Sequence, residues 1–198
     1  MSLIKLNDRA VKDVTQFGSI SSLGSLTHIS TATASASASI EFSLGDYKEY
    51  QFYWVNCHPQ NDNVEFKFQT STDNGSTYAT TITSTIFFGR HHEDDTVATL
   101  EYEPSNDQAQ GTGFQTISFS VGGDADESCA GILSLFNPSS TTYVKHFTAR
   151  SSLYHRANRA IDQFTAGYFN TTSALTNIKF QFSSGNIDAG QILLFGVN

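Results

Sequence analysis

The sequence predicts an all-β protein, an antiparallel β-sandwich with jelly-roll-like connections. Three observations carry this. Short segments alternate apolar and polar residues with a period of two, which places one set on a buried face and the other on a wet one. Clusters of Gly, Asn, Asp, Ser and Pro recur between these segments at the spacing of turns in a sandwich or barrel. No window of ten residues after position 14 holds a convincing helical period.

In chain order, 1–14 is mildly amphipathic, with Leu6, Ala10, Val11 and Val14 able to share a helical face and Asp8 able to cap its start. An extended arm laid on a neighbouring subunit fits the same residues. The stretch "QFGSISSLGSL" (16–26) is a linker by its Gly and Ser content, and "STATASASASIEF" (30–42) is either a flat strand or a loop. From Tyr47 the β signal is continuous. "YKEYQFYWVN" (47–56) is aromatic-rich, and "VEFKFQ" (64–69) sets Val64, Phe66 and Phe68 against Glu65, Lys67 and Gln69. The Asn-Gly in "TDNGST" (72–77) marks a turn between two β patterns. Further strands are expected in "TYATTITSTIFF" (77–88), "TVATLEY" (96–102), "FQTISFSV" (114–121), "YVKHFTARSSLYH" (143–155), "AIDQFTAGYF" (160–169), "NIKFQF" (177–182) and "QILLFGV" (191–197). "CAGILSLF" (129–136) is apolar on both faces, as a strand inside a sandwich would be. The expected organisation is an N-terminal arm and linker over 1–26 and a single β-sandwich domain over 27–198, with about ten or eleven strands.

Composition narrows the function classes. Hydrophobic residues make up only 38% of the chain, but 16 Phe and 8 Tyr are present, so large flat side chains must carry much of the burial. Ser and Thr supply 47 of the 198 residues, which suits strands with one solvated face. The net charge is −8, and the 11 Lys and Arg are scattered among 19 acids. A nucleic-acid binder draws on a basic stripe to neutralise phosphates, so nucleic acid is not an expected partner, nor is an anionic membrane surface. No run of 18 apolar residues occurs, so no membrane insertion is expected, and "MSLIKLNDRAVKDV" lacks the apolar core of a secretory signal. Synthesis in a cytoplasm follows as the expectation.

The densest cluster of chemically capable side chains is "GRHHEDD" (89–95). His91, His92, Asp94 and Asp95 are candidate metal ligands, with Glu93 between them. The spacing argues against them. Adjacent histidines on a strand point to opposite faces, the i,i+4 pair of a zinc-protease helix is absent, and the acids do not follow the alternating pattern of a calcium loop. A solvated turn is the reading the spacing favours. Cys57 and Cys129 lack a CxxC partner and read as two separate, semi-buried thiols. His58 beside Cys57 and His146 within "YVKHF" read as packed or sheet-surface residues, and the remaining lone histidines are His28 and His155. "GGDADES" (122–128) reads as a hairpin tip, with weak calcium binding through Asp124, Asp126 and Glu127 as the sharper option. Trp54, the only Trp, reads as core, with a glycan-stacking platform as the sharper option. No nucleophile elbow, P-loop or dinucleotide fingerprint appears, so neither an enzymatic activity nor a cofactor is expected.

Several stretches together carry a resemblance. "LIKLNDRAVKDVTQFGSISSLGSL", "YKEYQFYWVNCHP", "NPSSTTYVKHF", "FTAGYFNTTSA" and "SSGNIDAGQILLFGV" make the chain similar, over nearly its whole length, to a family of virion structural proteins of marine tailed bacteriophages, the phages of cyanobacteria and other ocean bacteria. The resemblance implies a component of the virus particle whose partners are other virion proteins, and it transfers no catalytic residue. The expected function is a non-enzymatic head-surface decoration or knob protein. A tail-fibre or tail-associated module binding host surface glycan is the alternative. The expected oligomer is a homotrimer, anchored through the arm residues Ile4, Leu6, Val11 and Val14.

Overall fold

The computed structural model describes residues 26–197; Ile4, Leu6, Val11 and Val14 therefore lie outside the described residues. The chain forms β1 (Thr27–Thr33), β2 (Ile40–Ser43), β3 (Glu49–Pro59), β4 (Val64–Ser71), β5 (Ile82–His92), β6 (Ala98–Tyr102), β7 (Ala109–Gly111), β8 (Gln115–Val121), β9 (Cys129–Phe136), β10 (Lys145–His155), β11 (Arg159–Phe169), β12 (Asn177–Phe182) and β13 (Ile187–Val197). A single 3-10 turn at Pro104–Asn106 is the one helical element among the described residues. Every pairing is antiparallel.

The strand order is that of a jelly roll. One sheet runs β1-β13-β3-β9 and the facing one β2-β12-β4-β8, so the sequence neighbours β1/β2, β3/β4, β8/β9 and β12/β13 sit in opposite sheets. The chain reaches this order by crossing between sheets at each of these connections, as two interlocked Greek keys do. The segments β5–β7 and β10–β11 add to this frame. They extend the first sheet sideways as β9-β10-β11-β5-β6, with β7 on the far end of β5. The extension curls until His155 of β10 pairs with Val121 of β8, which joins all thirteen strands along one closed side.

Alternation builds the core between the layers. Tyr50, Phe52 and Trp54 from β3 meet Phe66 and Phe68 from β4 and Phe180 and Phe182 from β12, all at most 2% exposed. Their rings pack with centroid separations of 5.1–6.4 Å in stacked and tilted pairs. Each fully buried aromatic side chain contributes roughly 2–3 kcal/mol of transfer free energy, so this cluster holds the layers together. A second group, Ile82, Ile86, Phe88, Ile117, Phe147 and Phe169, fills the space beneath the extension.

Several boundaries differ from the sequence-based expectation. β5 continues through Gly89–His92, because those residues pair with β11 and β6, so only Glu93–Val97 form the turn. β13 begins at Ile187, four residues before the strand expected over 191–197. The Asn-Gly turn exists, with Asn74 at φ 59° and Gly75 at φ 83°, but it does not close a hairpin. β4 pairs with β8 and β12, while β5 pairs with β11, β6 and β7, so the turn sends the chain from one layer to the other.

Candidate binding face

The predicted clusters separate in space. His91 points outward from β5, and its Nε2 lies 3.0 Å from Asp95 Oδ1. His92 points to the inner side, where its Nε2 is buried without a hydrogen-bond partner. Asp94 turns its carboxylate onto Thr96, accepting from the Thr96 amide and hydroxyl at 3.1 and 2.7 Å, and these bonds hold its pKa below the usual carboxylate value. His91, His92, Asp94 and Asp95 thus make no shared ligand set. No group of three or more His, Cys, Asp and Glu side chains able to hold a metal occurs among the described residues.

In the acidic turn 122–128, Asp124 and Asp126 are exposed and only Glu127 looks inward. Glu127 is 4% exposed and accepts a 2.7 Å hydrogen bond from the Asp124 amide, and its backbone carbonyl lies 2.7 Å from His58 Nδ1. Its carboxylate therefore closes its own turn and is not available to a solvent cation.

Trp54 is 1% exposed and sits against Phe66 in the core. The reading of Trp54 as a glycan platform is corrected by this burial, since a sugar cannot reach its ring.

Cys57 and Cys129 are corrected as well. They are not separate but directly opposed on β3 and β9, both free and fully buried. The cause is local. A bulge at Val55–Asn56, with Asn56 at φ 50°, resets the alternation of β3, so Cys57 faces inward although it is an odd number of residues past Trp54. Gly190 on β13 makes room for it: at φ 114°, a Cβ there would come within 2.6 Å of Asn56 O. Burial pushes the Cys57 thiol up to about 12 and the Cys129 thiol well above its ordinary value, so neither is a nucleophile.

Two buried basic side chains have structural roles. Lys145 is fully buried, and its ammonium donates to the carbonyls of Thr171 and Ser173 at 3.1 and 2.7 Å, which pins the loop before β12. His155, 5% exposed, lies edge-on to Phe119, and its Nδ1 accepts from the Ala157 amide at 3.0 Å. Burial, followed by the charges of Arg159, Arg156 and Arg90, pushes its pKa down to about 4.

What the structure does assemble is the outer face of the extended sheet. Cross-strand register places Tyr53, Ile132, Arg150, Phe164, Phe87 and Tyr102 in one row over β3, β9, β10, β11, β5 and β6. The Phe87 and Phe164 rings stack with centroids 4.9 Å apart and planes 6° apart, and the Arg150 guanidinium covers the Phe164 ring at 4.9 Å. Arg150 also holds Asp162 through two hydrogen bonds of 2.9 and 2.8 Å, which raises its pKa and neutralises both groups.

The row stands as a ridge because its neighbours are small. On one side lie Ser134, Thr148, Ala166 and Thr85, and on the other Ala130, Ser152, Asp162 and Gly89. Shallow, open depressions follow both flanks. Beyond Gly89, Leu100 is 75% exposed, and Phe87 and Tyr102 are 42% and 58% exposed. None of these residues was singled out from the sequence. The available signal was apolar residues in both phases of one strand, as in the Phe87-Phe88 pair and in "CAGILSLF".

This face presents rings, methyl groups and hydroxyls, and its charged pair is already satisfied. No family model matches this sequence, and neither does any curated protein.

Proposed function

We propose that this chain is a non-enzymatic structural module of a tailed-bacteriophage particle, displayed on the head surface as a decoration or knob protein. The observation that carries the reading is the jelly roll with one enlarged sheet whose outer face is apolar and nearly uncharged. A double-sheet jelly roll is an architecture shared by viral capsid and lectin domains, and the enlarged face suits packing against other protein. The resemblance of the quoted segments to marine phage virion proteins supports the same assignment. Of the acids and imidazoles that suggested chemistry, Asp94 and Glu127 are engaged in their own turns and His92 is packed inward.

The alternative, a tail-associated module that binds host surface glycan, has no stacking platform at Trp54. The exposed rings of Tyr102 and Tyr143, 58% and 70% exposed, are where such an activity would have to lie.

Mass spectrometry and antibody labelling of purified virions test the proposal. The expected result is the chain on the head in a fixed ratio to the major shell protein. Label confined to tail tips favours the alternative, and absence from washed particles overturns both.

A further inference from the structure

We propose that the outer face of β9-β10-β11-β5-β6 is where a second copy of this chain docks, ridge against groove. The inference holds whichever particle, or none, carries the protein.

Charge selects the kind of partner. The chain has 19 acidic and 11 basic residues. Yet among the outward side chains of these five strands the formally charged ones are Arg150 and Asp162, which neutralise each other. Two copies meeting through most other surfaces bring like charge together, and through this face they do not. Depletion of charge with enrichment of aromatic residues and Arg is the composition of an interface centre. A nucleic acid or an anionic lipid surface would find no unpaired cation here.

Ring geometry disfavours a sugar. CH–π stacking needs an open ring face, and both faces of Phe164 are covered, one by Phe87 and the other by Arg150. The ridge offers edges and methyl groups, which suit interdigitation with another protein surface.

Shape selects a second copy. The ridge is about one side chain high and is flanked by rows of Ser, Thr, Ala and Gly, broken on one side by Asp162, which Arg150 holds. A Cβ placed on Gly89 would meet nothing within 4 Å, so this groove is empty in the single chain. A two-fold axis lying in the plane between the two sheets, parallel to the ridge and set over its flank, lays the ridge of each copy along the groove of the other, the isologous arrangement of symmetric dimers. Two sheets then pack face to face at about 10 Å. Five strands at ~4.8 Å spacing and about seven residues along each strand span ~24 by ~24 Å, roughly 600 Å² per partner, the low end of specific interfaces, where weak and reversible association lies.

Sedimentation velocity on the full chain tests this, up to about 100 µM, a range that captures micromolar association. Two variants alter the face without touching the core. Leu100→Glu places an acid on a side chain already 75% exposed, and Gly89→Phe fills the empty groove. Wild-type protein is expected to self-associate, and each variant to weaken that association at least tenfold while keeping the wild-type melting temperature. As a control, Gln181→Glu adds the same charge to the half-buried polar row of β12 in the opposite sheet and is expected to leave association unchanged. A wild-type chain that stays monomeric throughout overturns the proposal. So does an oligomer indifferent to both face variants, or one dissociated equally by the control.

Discussion

Trp54 and Gly131 oppose each other on β3 and β9, and the indole occupies the space that a side chain at 131 would need. A Cβ at 131 would lie 2.3 Å from Trp54 Cζ2 and 2.4 Å from the Arg150 carbonyl oxygen. One of these neighbours is backbone and the other a buried ring, so neither yields cheaply. Gly131→Ala should therefore destabilise the fold by about 2–3 kcal/mol, read as a lower urea midpoint with an unchanged slope. The same contact keeps the only Trp out of solvent. Its emission should be blue-shifted, resist iodide quenching and stay unchanged when glycans are added.

Gln69 is fully buried, and its Nε2 donates to the carbonyls of Thr80, Thr112 and Gly113 at 3.1, 3.1 and 2.9 Å. Its Oε1 accepts from the Thr70 amide at 2.8 Å. This one amide ties together the segments before β5 and before β8. Gln69→Leu keeps the approximate volume but strands these partners, so a loss of about 2–4 kcal/mol is expected by chemical denaturation. Faster amide exchange near Thr80 and Gly113 should accompany it.

His155 gives the stability a pH dependence with a definite sign. Its folded pKa, about 4, lies below the ordinary 6.5, so the unfolded chain binds its proton more readily. The stabilisation is complete above pH 6.5 and is lost as pH falls towards 4, by about 2–3 kcal/mol at the lower end. His155→Gln keeps a hydrogen-bond acceptor for the Ala157 amide and removes the titration. Its melting temperature should fall less than that of the parent between pH 6.5 and 4; parallel curves would discount His155 as the source.

Cys57 and Cys129 should be silent in the native state. With Cys57 raised to about 12 and both thiols buried, almost no thiolate exists at pH 8. Iodoacetamide should label neither site in the folded protein and both in denaturant, counted by intact mass. Rapid native labelling of either would show that the β3 bulge opens locally.

The strand-by-strand layout was legible because period-two alternation is a property of each segment. Val64, Phe66 and Phe68 had to share one buried face wherever β4 lay, and all three do. The Asn74-Gly75 turn was legible for a similar reason, since residues tolerant of positive φ announce it. That His91 and His92 face opposite ways followed from strand geometry, although the sequence reading favoured a solvated turn where Gly89–His92 continue β5.

Pairing partners were not legible. Nothing local tells β4 to pair with β8 and β12 and not with β5, because the choice rests on contacts far apart in sequence. The Cys57–Cys129 apposition needed both the bulge at Asn56 and the β3–β9 register. The outer ridge needed five independent cross-strand registers to bring Tyr53, Ile132, Arg150, Phe164, Phe87 and Tyr102 into one row. Segment chemistry therefore settled that this chain would be an aromatic-cored β-sandwich without a local reaction motif. Only the folding of the strands onto one another decided which apolar residues remained outside, since a face exists only once its strands are neighbours.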